Sequence, residues 1–214
     1  MGESSTERLP SGRHHLTRED VSASQRGRLL EAIVGAVAEK GYGTATVADV
    51  VERARVSRRT FYEHFEDKEA CFLAAYGMGV EVVLGRLSEA AQAEATEGWQ
   101  ARLRSDLSTY LAVLAEEPAF AKALHVEILS AGPAALARRA EVFELFSART
   151  QRAYELARAE DPGRPQLAPE SFLLHSGGID ELVRECLRTR GASALPELTD
   201  SVIASTLALF RALD

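Results

Sequence analysis

The residues with the clearest chemistry lie together in the run Ser57-Arg-Arg-Thr-Phe-Tyr-Glu-His64. Arg58 and Arg59 present planar guanidinium groups, which meet guanine edges or phosphate oxygens with two parallel hydrogen bonds. Thr60, Tyr62 and His64 add short or planar donors that reach phosphates. Phe61 and Phe65, one helical turn apart, belong on the inward side. This is equipment for holding a polyanion, not for making or breaking bonds. The plainer alternatives are a solvated charged face for the arginines and packing for Tyr62.

A helix this short does not stand alone, so neighbouring elements must position it. The Ser57 hydroxyl caps the N–H of Thr60. Upstream, Thr46-Val-Ala-Asp49 is a threonine N-cap with an acidic residue three positions on, and Val50, Val51 and Ala54 complete a short helix ending near Arg55. Before it, Leu29, Leu30, Ile33, Val34, Val37 and Ala38 form one apolar stripe on a helix over about residues 24–40, which Gly41 stops. Two short capped helices packed on a preceding helix have the geometry of a helix-turn-helix, whose second helix enters the major groove of duplex DNA. Residues 24–68 are the expected extent of that domain. A long helix follows, with Phe72, Leu73, Tyr76, Val80, Val83, Leu84 and Leu87 as its apolar positions.

The run from Thr46 to Ala70, TVADVVERARVSRRTFYEHFEDKEA, resembles the DNA-binding signature of the TetR family of bacterial regulators, and the resemblance extends over about residues 25–72. It implies that Thr46 is a phosphate anchor at a helix N-terminus, where orphan N–H groups and the helix dipole favour an anion. It likewise makes Ser57, Arg58, Arg59 and Thr60 the base- and phosphate-reading start of the third helix, Tyr62 and His64 its backbone contacts, and Lys68 a phosphate clamp. Position 59 departs from the commonest pattern, in which a small residue such as Gly is frequent; Arg59 is expected to alter operator preference without threatening the fold.

Charge is informative only when located. The formal net charge of −7 argues mildly against a nucleic-acid partner, yet residues 1–70 carry 11 Lys+Arg against 12 Asp+Glu, so most of the negative excess lies further on. Residues 1–23 read as a disordered N-terminal arm. Arg8, Arg13, His14, His15 and Arg18 either enter a neighbouring minor groove or belong to that tail. Cys71 and Cys186 sit inside apolar helical patterns, so neither a disulfide framework nor a zinc cluster is expected, and no metal or cofactor is implied. With no apolar leader and no uninterrupted apolar run of about 18 residues, a soluble, cytoplasmic chain without a membrane partner is the expectation.

An enzyme is not expected either. Glu-x-x-His, His-Glu-x-x-His, Walker A and Gly-x-Ser-x-Gly patterns are missing from the sequence. The nearest cluster, His175 with Asp180, Glu181 and Glu185, has offsets that turn Asp180 and Glu181 off the histidine's helical face.

Beyond residue 95 the periodicity is helical throughout, over about 97–115, 118–131, 134–160, 169–189 and 196–213, with Pro and Gly at the breaks. The expected fold is all-α: an N-terminal three-helix DNA-binding domain and a C-terminal helical ligand-binding and dimerisation domain over residues 69–214. Trp99, Tyr110, Phe120, His125, Phe143, Phe146 and Tyr154 are candidate pocket walls, each with core packing as its alternative; His125 either orients a ligand or satisfies itself on a carbonyl. The last two helices are apolar on more than one side and must bury two surfaces. Phe172, Ile179, Leu182, Val183, Cys186, Val202, Leu207 and Phe210 are therefore assigned to a homodimer interface, with Gly177-Gly178 allowing close approach or a kink. The expected function is a homodimeric repressor on an inverted-repeat operator in double-stranded DNA, released by a small-molecule effector. An activator, or a helical small-molecule-binding protein without DNA binding, is the alternative.

Overall fold

Caps and prolines set where the helices begin. The computed structural model describes residues 18–93 and 98–211, with side chains from Val21 onward, so the arm residues Arg8, Arg13, His14 and His15 and the side chain of Arg18 lie outside it. The first helix, α1, spans Arg18–Lys40 and so begins before the expected residue 24. Gly41 ends it at φ 81°, a left-handed conformation that glycine enters without steric cost. Helix α2 (Val47–Ala54) is started by a reciprocal capping box: the Asp49 N–H donates to Thr46 Oγ1 (3.3 Å) and the Thr46 N–H donates to Asp49 Oδ2 (2.9 Å). Helix α3 (Arg58–His64) starts on Ser57, whose Oγ accepts from the Thr60 N–H at 3.0 Å.

Helix α4 (Lys68–Ala93) runs from the reader into the C-terminal part. It is long and apolar enough to cross a membrane, but Phe72, Tyr76, Val80, Val83 and Leu87 are buried against neighbouring helices, as in a core helix. Then come α5 (Trp99–Glu116), α6 (Pro118–His125), α7 (Pro133–Glu160), α8 (Pro169–Thr189) and α9 (Thr199–Arg211). Pro118, Pro133 and Pro169 occupy first turns, where a missing N–H costs nothing.

Two expected helices are divided. The segment 118–131 is α6 followed by a 3₁₀ turn, Glu127–Ser130, and the expected helix 196–213 is a 3₁₀ segment, Ala192–Leu198, leading into α9. In the second case Pro196 cannot donate to an α ladder, so regular helix starts only beyond it. Among the described residues there is no strand.

The reader shares its core with the rest of the chain. Leu29, Ile33 and Val37 of α1, Val50 of α2 and Phe61 of α3 belong to the same buried cluster as Phe72 and Tyr76 of α4, Leu124 of α6 and Ile128. A second cluster, Trp99, Leu103, Tyr154, Phe172 and Phe210, closes the far end.

At Gly79 the Phe120 ring of α6 lies directly on α4: a Cβ there would stand 1.7 Å from it. Gly→Ala inside a helix ordinarily stabilises by about 1 kcal/mol. Here the ring must move, and overpacking costs about 1–3 kcal/mol. Gly79→Ala is therefore expected to lower stability in urea unfolding. Gly85→Ala, on the same helix with nothing within 4 Å, is expected to raise it by up to about 1 kcal/mol.

Candidate nucleic-acid interface and effector cavity

Helix α3 is anchored by one face and offers the other. Phe61 is fully buried and Phe65 nearly so, while Arg58, Arg59 and Tyr62 are exposed, Tyr62 at 57 %. Arg59 Nε donates to Glu63 Oε1 at 2.9 Å one turn on; an exposed pair of this kind contributes under about 1 kcal/mol and yields readily to a phosphate. Arg58 has no side-chain partner among the described residues. Thr60 is half-buried with Oγ1 2.9 Å from Ser57 Oγ, and the half-buried His64 ring packs 6.3 Å from Phe65. Ser57, Arg58, Arg59, Tyr62 and Thr60 thus form one continuous patch at the head and outer face of α3.

Thr46 sits at the head of α2, exposed. Its Oγ1 donates to Asp49 Oδ2 (2.8 Å), and Lys40 Nζ donates to Asp49 Oδ1 (2.7 Å). The hydrogen bond from Lys40, followed by those from Thr46, holds the Asp49 carboxyl down at about 2. The capping box satisfies the Asp49 N–H, leaving the first N–H groups of α2 without intrahelical acceptors and open to an anion. Lys68 is placed differently from a free clamp. Its Nζ donates to Tyr42 O (2.7 Å) and Ala45 O (2.9 Å) and lies 4.2 Å from the centre of the Tyr42 ring. It braces the turn that carries Thr46.

Sequence reasoning passed over Arg55. It caps α2 at φ 54°, ψ 47°, the one non-glycine residue at positive φ among those described. Glycine is the usual occupant of such a cap, and that mismatch is the signal in the sequence. The guanidinium is exposed, three residues ahead of Arg58.

The aromatic candidates divide into two groups. Tyr110, Phe146 and Ser176 form the shared wall of two adjoining voids. The outer void, about 80 Å³, is also lined by Leu87, Leu103, Asp106 and Arg149; the inner one, about 40 Å³, by Tyr76, His125, Phe143 and Asp180. Trp99, Phe120 and Tyr154 are core residues instead. Trp99 and Tyr154 pack on Phe210, with ring centres 5.6 and 4.9 Å away, the Tyr154 hydroxyl donates to Pro165 O at 2.6 Å, and Phe120 lies on Gly79.

His125 meets a carboxylate, not a carbonyl. Its Nδ1 is 2.7 Å from Asp180 Oδ1 and its Nε2 is 3.2 Å from the Tyr110 hydroxyl. Arg139 Nη2 reaches Asp180 Oδ2 at 2.7 Å, and Arg184 binds the same oxygen. Burial opposes the Asp180 charge, but the bond from His125 and the two arginines outweigh it and hold the carboxyl below its ordinary range. At the outer mouth Arg149 grips Asp106 with Nε at 3.0 Å and Nη2 at 2.7 Å. His175 and Asp180 do not meet; His175 Nε2 instead lies 2.8 Å from Thr206 Oγ1.

The dimer assignment needs correction. Phe172, Val183, Cys186, Val202 and Phe210 are buried in the chain's own core, because the apolar positions of α8 and α9 chiefly serve packing against α5 and α7. Ile179 and Leu207 are half-buried. The outward face is carried by Leu174 (77 % exposed), Gly178 and Leu182 (45 %) on α8, with Ser201, Ala204, Ser205 and Ala208 on α9. Helix α8 runs unbroken through Gly177-Gly178, and a Cβ at either would meet nothing within 4 Å.

Residues 29–75 match the family model for bacterial regulatory proteins of the tetR family. The similarity to that family is confined to this N-terminal segment, which holds α2, α3 and the start of α4. The whole TetR-like fold recurs in solved structures. The transcriptional regulator FadR from Bacillus subtilis, in complex with stearoyl-CoA, superposes with TM-score 0.72 at 18 % identity, covering 88 % of this chain and 99 % of its own. The fatty acid degradation regulator FadR from Bacillus halodurans gives 0.70 at 19 %, covering 88 % and 96 %. A tetR-family regulatory protein from Rhodococcus RHA1 gives 0.69 at 21 %, covering 89 % and 98 %. No curated protein sequence matches the chain.

Replacing Arg55 tests the cost of its cap. A left-handed non-glycine residue carries roughly 1–2 kcal/mol of strain, partly offset by the chain entropy that glycine loses on folding. Arg55→Gly is expected to raise stability by about 0.5–1 kcal/mol in chemical unfolding.

Proposed function

We propose that this protein is a cytoplasmic, homodimeric transcriptional repressor that binds an inverted-repeat operator and is released by a small-molecule effector. The observation that carries the reading is the outer face of α3: Arg58, Arg59 and Tyr62 exposed over a buried Phe61 and Phe65, in a TetR-family domain. The guanidinium groups supply base and phosphate contacts, and the head of α2 supplies a second phosphate site. The α8–α9 face supports a dimer, since small residues on α9 let a partner helix approach closely while Leu174 and Leu182 supply apolar area. Such a dimer holds two α3 helices about one DNA turn, or a small multiple of it, apart.

The effector reading draws on the voids and on α6. Within six residues, α6 and its 3₁₀ extension touch both the void and the reader. Lys122 Nζ donates to Ala38 O (2.6 Å), the Tyr42 N–H donates to Glu127 Oε2 (2.8 Å), and His125 between them lines the inner void. Displacing His125 pulls on both struts, and so on the end of α1 and the turn that precedes Thr46. Helix α4 is drawn in through Phe120 on Gly79. A coupling of about 1–3 kcal/mol between the two sites suffices for a switch. The voids are small beside the roughly 300–1,000 Å³ of typical ligand sites, so the effector must part their walls. That supplies the movement. The stearoyl-CoA held by the Bacillus subtilis FadR is consistent with a ligand-responsive C-terminal domain.

Selection from random duplex DNA by the purified protein is expected to return an inverted repeat, with affinity falling about 10³- to 10⁵-fold between 50 and 200 mM salt. On that duplex, Arg58→Ala is expected to cost about 1–3 kcal/mol with relaxed specificity at one position if it reads a base, or to reduce the salt slope by about 1 if it holds a phosphate. Failure to enrich any sequence with folded protein would sink the repressor reading. Leu182→Glu is expected to shift the chain to monomer in sedimentation velocity and to weaken operator binding without lowering the melting temperature of the protomer.

A further inference from the structure

The walls of the two voids contain charges but no uncompensated charge. Asp180 is matched by Arg139, Arg184 and His125, and Asp106 by Arg149. An ionised ligand head would have to part Arg149 from Asp106 at the outer void or compete with the three groups already gathered on Asp180 at the inner one, both unfavourable in a partly buried site. What the walls do offer is hydrogen-bond donors. Tyr76 is 2 % exposed and lines the inner void, facing Asp180 and Arg139, and its hydroxyl has no hydrogen-bond partner among the described residues. The hydroxyl is therefore free to donate into that void. Ser176, on the wall common to both voids, accepts from Ser147 Oγ at 3.2 Å, which leaves its own proton free. Tyr110 is already committed to His125 and Thr150 to the Phe146 carbonyl. The remaining lining is mostly apolar and aromatic: Leu87, Leu103, Leu107, Phe143, Phe146 and Ile179.

We propose that the two voids are halves of one effector site, and that it takes an uncharged, elongated, largely apolar molecule whose carbonyl or other acceptor oxygen is bound by the Tyr76 and Ser176 hydroxyls. This rests on reading the C-terminal domain as an effector domain. An acceptor oxygen can accept a hydrogen bond from this wall and leave every ion pair intact. Its apolar remainder lies between Phe146 and Tyr110 toward Leu87 and Leu103, where it displaces the rings that separate the voids. The inner end is next to His125, the residue between the two struts to the reader, so occupation and release are linked by position.

The test is calorimetric titration of the full-length protein with 2-nonanone and, separately, with nonanoate, a carboxylate of the same length. The ketone is expected to bind and nonanoate to bind more weakly or not at all. Tyr76→Phe and Ser176→Ala are each expected to weaken the ketone roughly three- to tenfold, the value of one neutral hydrogen bond. Tighter binding of nonanoate, ketone affinity unchanged in both variants, or absence of ketone binding would each overturn the proposal. Duplex DNA binding is scored on the same preparations. DNA binding without ketone binding overturns this ligand class and leaves the regulator standing; ketone binding without DNA binding does the reverse.

Discussion

An ionised carboxylate inside a helical domain has to be paired, and the pairing of Asp180 organises this protein. The group sits on α8 and is held by His125 from α6, Arg139 from α7 and Arg184 from its own helix, with Tyr110 of α5 reaching the far side of the His125 ring. Four helices are thereby tied to one point. Removing Asp180 would leave the Arg139 and Arg184 guanidinium groups without the carboxylate they share, which costs far more than the intact cluster contributes. The arrangement therefore works less as glue than as a rule for how α5, α6, α7 and α8 are allowed to sit.

Helix α6 inherits its place from that rule and passes it on. Lys122 and Glu127 flank His125 and bond to backbone groups at the end of α1 and in the turn after it. Lys68 at the head of α4 bonds to the same turn from another direction. The short helices α2 and α3 bury too little to be stable alone; Phe61 and Val50 are buried in a core continued by α4 and α6. The N-terminal helices and the C-terminal helices are thus mechanically continuous. A change at His125 has a short physical route to Thr46, through hydrogen bonds and packed side chains and without any long-range field.

The acidic balance of the chain and the proposed DNA-facing surface are reconciled by location. The net charge of −7 disfavours indiscriminate attraction to polyanions, while Arg58 and Arg59 concentrate donors on one helix face. Structures sharing only 18–21 % identity superpose over nearly their full lengths, as expected where apolar patterning specifies helix packing and leaves side-chain identity free. The chemistry of the cavity belongs to individual residues, so it is a property of this chain and not of the fold.

The caps at Thr46 and Ser57, the inward Phe61 and Phe65, the exposed arginines and most helix limits were legible in the sequence, because each depends on neighbours within one or two turns. So was the all-α architecture, through the 3.6-residue period. What local pattern could not resolve was which apolar residues face the chain's own core and which face outward. Phe172, Val183, Cys186, Val202 and Phe210 look the same in sequence as an interface stripe, and only packing against α5 and α7 assigns them inward. The same holds for Lys68, whose ammonium is claimed by two carbonyls over twenty residues away, and for Asp180, whose partner His125 lies 55 residues earlier. Periodicity and capping are short-range and are written in the sequence. The pairing of a buried charge, the closure of a void and the choice between core and surface are set by segments distant in the chain, and only the tertiary structure decides them.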